Sequence, residues 1–233
     1  MKRQNKKIIA IIPAFNEEKT VTKVVREVKK YVPDILVIDD SSRDRTAQKA
    51  RKAGAKVISH ILNQGVGITQ KTGYNIAFKR DYDYIVQLDA DEQHNPEYIP
   101  ELIDFAISGN YDMVIGSRFL NSSYKNLPLG RKLGIKFFSV IANVLGRTRV
   151  TDITSGYRVY KVKSLKKLTP ITDKNWAIEQ TIEAGIKGLK IGEYSVKMPM
   201  RETGESQFVN LGTVFRYPFR MLEASLRVMV FRR

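Results

Sequence analysis

Short apolar runs alternate with stretches of helical periodicity throughout the first half of this 233-residue chain. The runs cover residues 8–12, 35–38, 56–58, 84–88 and 112–115. Amphipathic segments such as 17–31 and 65–79 separate them. This β-α-β alternation predicts an α/β fold with a mainly parallel central sheet and helices on both faces. Ligands of such sheets bind beyond the carboxyl ends of the strands, so the polar segments after each run form the candidate site.

The second half of the chain is less regular. It predicts helices over 129–145 and 176–187 and a strand or strand pair over 189–200. No repeat, low-complexity tract or Gly/Ser linker interrupts residues 1–207, which favours one compact domain over that range.

From residue 208 the pattern changes to apolar residues spaced three and four apart, with arginines along one side. The sequence therefore predicts a basic amphipathic helical tail over 208–233. Such a tail suits a membrane interface, and it equally suits docking on the domain or on a second subunit. The apolar residues are Phe208, Leu211, Phe215, Phe219, Leu222, Leu226 and Met229, and the arginines are Arg216, Arg220 and Arg227.

The composition restricts the metal chemistry that the chain can support. There is no cysteine, and His60 and His94 are the two histidines. Thiolate sites are therefore excluded, a zinc site built on several imidazoles is disfavoured, and carboxylates are the obvious ligands for a metal ion.

The charge balance indicates an anionic partner. The net charge is +16, and the basic residues are spread along the chain rather than packed in one tract. Nucleic acid, an acidic membrane surface and phosphorylated small molecules all fit that balance. No signal peptide precedes the first run, and no run approaches the roughly 18 apolar residues of a membrane span. The expected location is the cytoplasm, at the cytoplasmic face of a membrane.

The strongest local signal follows the fourth apolar run. Asp89 and Asp91 end that run, and Gln93 comes two positions later. Two carboxylates and an amide oxygen converging on one hard cation would hold Mg²⁺ or Mn²⁺. The alternative is a simple turn in which Asp91 caps the helix beginning near Pro96.

Two more acidic segments follow the first and second runs. Pro13-Ala14-Phe15-Asn16-Glu17 brings an aromatic ring and a carboxylate to the predicted edge, and Asp39-Asp40-Ser41-Ser42 brings adjacent acids. Adjacent acids suit recognition of hydrogen-bond donors on a base or ribose, although helix capping by Ser42 or Asp44 also explains part of the second segment. Three strands thus end in acid-bearing loops at one edge.

In this order, the three segments resemble the successive motifs of family 2 glycosyltransferases. The likeness is strongest to the dolichol-phosphate mannose synthase-like and polyprenyl-phosphate hexosyltransferase branch, and it spans about residues 7–207. It continues in Gly116-Ser117-Arg118, in Arg131-Lys132, in Asp152 to Arg158 and in Arg201 to Ser206. The resemblance implies the GT-A fold, a nucleoside-diphosphate sugar donor and a divalent metal, Mg²⁺ or Mn²⁺. Ser41 stands where the family has glycine, and Glu92 and Gln207 also depart from its pattern.

The resemblance also implies a role for each matching position. Asp91, Arg118 and Arg131 would be catalytic, and Asp89, Asp91 and Gln93 would hold the metal. Arg118, Arg131 and Arg201 would face phosphate groups. Ser155, Arg158 and Ser206 would lie near the sugar and the acceptor. The nucleotide sugar would contact Pro13, Ala14, Phe15, Glu17, Ile38, Asp40, Asp89, Ala90 and Arg201, with Ile38 and Asp40 at the base or ribose.

The implied reaction is an inverting transfer of a hexose from GDP-mannose or UDP-glucose to a polyprenyl phosphate. The alternative acceptor is a saccharide hydroxyl in glycan synthesis, which would need a general base, and Glu179 is the candidate for it. Two other protein classes fit less well. A nucleic-acid-binding protein leaves the three acidic loops unexplained, so no nucleic-acid partner is expected. A nucleotidyltransferase would carry a glycine-rich phosphate loop at residues 13–17. The oligomeric state stays open.

Overall fold

The computed structural model describes residues 6–121, 124–125, 127–169, 175–199, 223, 226–228 and 230. Within these residues seven strands form one sheet, in the order β3-β2-β1-β4-β6-β5-β7. The strands are β1 (Ile8–Ala14), β2 (Asp34–Asp39), β3 (Lys56–Ser59), β4 (Tyr84–Gln87), β5 (Met113–Ser117), β6 (Arg158–Lys161) and β7 (Ile191–Ser195). The helices are α1 (Val21–Lys29), α2 (Thr46–Ala53), α3 (Val66–Lys79), α4 (Ile99–Ser108), α5 (Leu129–Gly146), α6 (Val162–Leu165) and α7 (Trp176–Ile186).

The predicted α/β fold with a mainly parallel sheet is confirmed. Strand β1 pairs in parallel with β2 and β4, β2 with β3, and β5 with β7. The exception is β6, which lies antiparallel between β4 and β5 and which the sequence pattern does not predict. Its reversed direction brings Arg158, at its amino end, level with Gln87 and Ile115. The carboxyl ends of β1, β2, β4 and β5 therefore share one edge with the segment that leads into β6.

Helices cover both faces of the sheet. Valines of α1, alanines of α2 and the apolar residues of α4 pack into one core cluster on the first face. Helices α3, α6 and α7 contribute to a second cluster on the opposite face. Helix α5 lies outside that second layer and packs on α7 through a third cluster that includes Phe138, Ala142, Ile178 and Ile182. Because α5 rests on another helix rather than on the sheet, one of its sides faces away from the protein.

A few residues of the predicted tail are described. Val228 is fully buried in the third cluster, whereas Leu226 and Val230 are exposed. This part of the tail is helical and docks on the domain through Val228. The rest of the predicted apolar stripe lies outside the described residues. In the part of the chain that the structure describes, no helix has both the length and the apolar character that crossing a membrane requires.

Candidate active site

The loops after β1 and β2 are tied together at the carboxyl edge of the sheet. The Asn16 amide donates to Ser42 Oγ at 2.9 Å, and the Arg43 amide donates to Asn16 Oδ1 at 2.9 Å. Ser41 adopts the left-handed conformation with φ 63°, which glycine would adopt at lower cost. The departure from the family pattern at Ser41 therefore keeps the turn. The Phe15 side chain, in the loop after β1, is 42% exposed at this edge of the sheet.

The remaining residues predicted to line the nucleotide pocket occupy the same edge or the sheet beneath it. Pro13 and Ala14 are the buried last residues of β1, and Ala90 is buried beside the β4 loop. The Glu17 amide donates to Thr46 Oγ1 at 2.7 Å, which fixes the first loop against the start of α2. The Ile38 side chain is fully buried in the second core cluster. Its position supports the strand, and a contact with base or ribose through this side chain does not follow from the structure.

The Asp40 carboxylate is occupied by the protein itself. Asp40 Oδ1 accepts from the Gln64 amide at 3.0 Å and lies 2.7 Å from His60 Nδ1, and Oδ2 accepts from the Gly65 amide at 2.7 Å. His60 Nε2 lies 3.0 Å from Thr72 Oγ1. Both carboxylate oxygens are therefore engaged in shaping the loop that enters α3. The contact of this carboxylate with base or ribose stays a prediction.

The loop after β4 is organised around His94. The Asp89 amide donates to His94 Nδ1 at 2.9 Å, and the His94 ring stacks on Tyr157 with 5.1 Å between centroids. Burial lowers the pKa of His94 from 6.5 to about 4, so the ring is neutral at pH 7. Because Nδ1 accepts the amide proton, its 3.7 Å separation from Asp89 Oδ2 is not an ion pair. His94 thus supports the predicted metal loop.

The loop carries carboxylate and amide oxygens, which are the ligand type that hard divalent cations bind. Asp89 is partly exposed, Asp91 Oδ1 accepts from the Gln93 amide at 3.1 Å, and Gln93 Nε2 donates to the Pro199 carbonyl at 3.5 Å. A Cβ at Gly156 would lie 3.2 Å from Asp89 Oδ2, so glycine keeps space open beside that carboxylate. Among the described residues, no group of three or more His, Asp or Glu could hold a metal. A cation bound here would keep coordination positions for diphosphate oxygens and water, as Mg²⁺ does at phosphate sites.

A buried ion pair joins β5 to the segment before β6. Arg118 Nε donates to Asp152 Oδ2 and Nη2 to Oδ1, both at 2.7 Å, and Nη2 also donates to Thr154 Oγ1 at 2.9 Å. Arg118 is 9% exposed and Asp152 is fully buried. Two-point pairing of this kind fixes the orientation of a guanidinium plane. The phosphate contact of Arg118 stays a prediction, and Asp152 is the residue that would position it.

The structure places the other predicted acceptor residues differently from one another. Ser155 is buried, and Arg158 is fully buried, donating to the Ser155 carbonyl at 2.8 Å and to the Ile153 carbonyl at 3.1 Å. The Arg158 guanidinium also lies over the Trp176 ring. With no exposed surface, Arg158 holds the loop before β6, and its contact with sugar or acceptor stays a prediction. Arg131 is exposed in the first turn of α5. Arg201 and Ser206 lie outside the described residues.

Sequence reasoning assigned no role to Asp152, Gly156 or His60, although all three shape this edge. Asp152 and Gly156 lie within the segment that carries the family resemblance, so the resemblance could have identified them as candidate site residues. His60 offered none, because its partner Asp40 is 20 positions away. Glu179, the candidate base, is 1% exposed inside α7.

Comparisons with known proteins agree with this architecture. The family model described as glycosyl transferase family 2 matches residues 9–169. The UDP-N-acetylglucosamine–dolichyl-phosphate N-acetylglucosaminyltransferase of Methanococcus voltae is 33% identical, over 94% of this chain and 96% of that protein. The undecaprenyl-phosphate mannosyltransferase of Micrococcus luteus is 32% identical, over 86% and 87%.

A solved structure supports the fold. Glucosyl-3-phosphoglycerate synthase from Mycobacterium tuberculosis, crystallised with Mn²⁺, UDP and glucosyl-3-phosphoglycerate, superposes with a TM-score of 0.74 at 19% identity. The match covers 96% of this chain and 81% of that one. The predicted GT-A fold is confirmed by this similarity, and the match of the family model across more than half of the sequence places the chain in glycosyl transferase family 2.

Proposed function

We propose that this glycosyltransferase moves a hexose from a nucleoside-diphosphate sugar to a polyprenyl phosphate. The observation that carries the proposal is the carboxylate loop of Asp89 and Asp91, which lies beside the segment that pairs with Arg118. A donor diphosphate held at Asp89 and Asp91 and an acceptor phosphate held near Arg118 would meet at one edge of the sheet. The names of the Methanococcus and Micrococcus relatives support a lipid phosphate as the acceptor.

The residues of this chain have defined tasks in that reaction. Asp89, Asp91 and Gln93 would hold Mg²⁺ or Mn²⁺, which neutralises the charge that develops on the departing nucleoside diphosphate. Arg118, Arg131 and Arg201 would orient the phosphate groups. A phosphate oxygen of the acceptor attacks the anomeric carbon, the bond from that carbon to the diphosphate oxygen breaks, and the configuration inverts.

The burial of Glu179 favours a phosphate acceptor over a saccharide hydroxyl. A hydroxyl must lose its proton to a general base within hydrogen-bonding reach, and Glu179 lies inside α7 with 1% exposure. A phosphate monoester already carries negative charge at neutral pH and needs no such base.

A transfer assay tests the acceptor and the donor together. Purified protein with Mg²⁺ and polyprenyl phosphate is given radiolabelled GDP-mannose, UDP-glucose or UDP-N-acetylglucosamine in parallel. We expect label to enter the organic phase with one donor and to stay in water when EDTA is present. Binding of a donor without labelled lipid from any of them would reject the lipid-phosphate acceptor.

The metal assignment has its own test in Asp91→Asn. Replacing the carboxylate by an amide removes a negatively charged oxygen ligand, so we expect turnover to fall by about a thousandfold or more. The free energy of unfolding should stay unchanged. Asp104→Asn, an exposed position on α4, is the matched control and should transfer sugar normally. Near-normal turnover of Asp91→Asn would show that this residue is not a metal ligand.

We also propose a peripheral location on the cytoplasmic face of a membrane, with the tail over 208–233 contributing to the contact. Flotation of the full chain and of a chain ending at residue 207 with liposomes tests the tail. Equal binding of the two proteins would remove the tail from this proposal.

A further inference from the structure

The His60 ring joins two elements at the carboxyl edge of the sheet. Its Nδ1 lies 2.7 Å from Oδ1 of Asp40, directly after β2, and its Nε2 lies 3.0 Å from Oγ1 of Thr72, in the second turn of α3. The His60 side chain is 9% exposed and the Asp40 side chain is 5% exposed. Because a carboxylate oxygen accepts hydrogen bonds, Nδ1 is the donor to Asp40. With a polar partner at each nitrogen, the ring is held in one orientation.

The same carboxylate fixes segment 60–65, which leads from β3 into α3. The Gln64 and Gly65 amides donate to its two oxygens, and Asn63 Nδ2 donates to the Asp40 main-chain carbonyl at 3.1 Å. Gly65 has φ 87°, a conformation that side chains disfavour and that turns the chain into the helix. The position of this segment therefore depends on the orientation of the Asp40 carboxylate.

The Asp40 carboxylate keeps one acceptor position for a ligand. Its two oxygens together offer about four such positions. From the residues that the structure describes, Oδ1 accepts from His60 and Gln64, and Oδ2 accepts from Gly65. The position that is left is therefore on Oδ2. By engaging Oδ1, His60 sets the direction in which Oδ2 is presented.

The place of Asp40 in the sheet relates it to the predicted metal loop. Asp40 follows β2 and Asp89 follows β4, and β1 lies between these two strands. Two strand spacings separate the two loops by about 10 Å. A nucleoside diphosphate can bridge that distance with its diphosphate at the metal loop and its nucleoside at Asp40.

We propose that His60 is a positioning residue for the donor nucleotide. It holds the Asp40 carboxylate and segment 60–65 in the arrangement that receives base and ribose. Both ring nitrogens are engaged within the protein, so His60 acts through Asp40 and not by touching the nucleotide. The proposal rests on the proposed function for the class of its ligand, a nucleoside diphosphate.

Binding to two kinds of ligand separates positioning from a general structural role. Calorimetry with Mg²⁺ measures the affinity of the full chain for UDP, GDP and inorganic pyrophosphate. The variants are His60→Phe, His60→Asn and Thr72→Val. Ser164→Ala is the matched control, because it removes a buried donor to the Asp112 carboxylate at the opposite edge of the sheet. Thermal unfolding shows which variants are folded.

We expect His60→Phe to bind the preferred nucleotide about tenfold or more weakly than wild type, and pyrophosphate within about twofold. His60→Asn should recover most of the nucleotide affinity, because its amide nitrogen can replace Nδ1 as the donor to Asp40. Thr72→Val removes the contact at Nε2 alone and should lose about threefold. Ser164→Ala should bind both ligands as wild type does.

Three results would overturn the proposal. They are unchanged nucleotide affinity in His60→Phe, an equal loss for pyrophosphate and nucleotide in that variant, and a wild type that binds neither UDP nor GDP. If His60→Phe does not fold, Thr72→Val decides, and unchanged nucleotide affinity in Thr72→Val then overturns the proposal.

Kinetics of sugar transfer give a second readout. His60→Phe should raise KM for the nucleotide sugar and leave kcat within about twofold, because contacts to the nucleoside are the same in the ground state and the transition state. A wild type that binds a nucleotide but transfers no sugar to polyprenyl phosphate would reject the proposed acceptor. The comparison of nucleotide with pyrophosphate would still decide the role of His60.

Discussion

At the scale of single residues, the pair of Arg118 and Asp152 shows how the fold holds a nearly buried guanidinium in one orientation. The Asp152 carboxylate is fully buried and accepts from the Arg118 amide as well as from its guanidinium. The Glu193 carboxylate in turn accepts from the Asp152 amide at 2.9 Å and from the Thr151 amide at 2.8 Å. Arg118 thus sits in a chain of contacts that fixes its direction before any ligand binds.

Asp152→Asn should damage both stability and catalysis. It leaves the nearly buried guanidinium without its counter-charge, which costs about 3 kcal/mol of unfolding free energy. Transfer should fall mainly through kcat, since the misdirected arginine would serve the transition state less well. The double variant Arg118→Met/Asp152→Asn should regain stability but not transfer. Urea unfolding and steady-state kinetics measure these effects, and a double variant with restored transfer would contradict the role of Arg118.

His94 predicts how stability depends on pH in the metal-free protein. The folded protein keeps this ring neutral down to about pH 4, whereas the unfolded chain protonates it below about 6.5. The stabilisation is therefore fully present above pH 6.5 and is lost as the pH falls towards 4, by about 3 kcal/mol. His94→Asn retains an acceptor for the Asp89 amide without titrating, so it should lose less stability over that range. Urea unfolding of both proteins in the presence of EDTA, repeated at several pH values, measures this. The same dependence of unfolding free energy on pH in both proteins would contradict the prediction.

At the scale of secondary-structure elements, the seat of α5 depends on close contact with α7. A Cβ at Gly185 would lie 2.0 Å from the Gly146 carbonyl oxygen and 2.4 Å from Thr148 Cγ2. Gly185→Ala should therefore push the helices apart and cost about 3 kcal/mol. The control is Gly134→Ala, within α5, where a Cβ would meet nothing within 4 Å. That change should add up to about 1 kcal/mol through helix propensity. Thermal unfolding measures both effects. A Gly185→Ala variant as stable as the wild type would show that the two helices are not closely packed.

The elements also explain how far sequence reasoning reached. Strands β1, β2 and β4 are short, wholly apolar or nearly so, and each is followed by a turn, so local pattern alone predicts them. Strand β6 begins at Arg158, and its burial depends on the Ile153 and Ser155 carbonyls and on the Trp176 ring, which only the folded chain brings together. The three acidic loops were predictable because parallel strands end at one edge. The hydrogen bonds that the Asp40 carboxylate makes could not be predicted, because its partners lie 20 to 25 positions away in the sequence.

At the scale of the whole molecule, the net charge of +16 raises the question of whether total charge or its placement governs contact with a membrane. Two triple variants lower the charge equally, from +16 to +13. Lys132→Gln/Lys136→Gln/Arg147→Gln removes charge along α5. Exposed residues of α1 and α2, on the other side of the sheet, supply the matched set Arg26→Gln/Lys29→Gln/Lys52→Gln.

We expect the α5 set to weaken binding to anionic vesicles by about tenfold or more, because each basic residue near the surface contributes about 1 kcal/mol. The α1 and α2 set should change binding by about threefold or less, since charges farther from the surface than the Debye length of about 8 Å are screened. Added salt should shrink the difference between the two proteins. Vesicle sedimentation over a range of salt concentrations measures this. Equal losses in both sets would show that the molecule meets the membrane through its total charge and not through one oriented face.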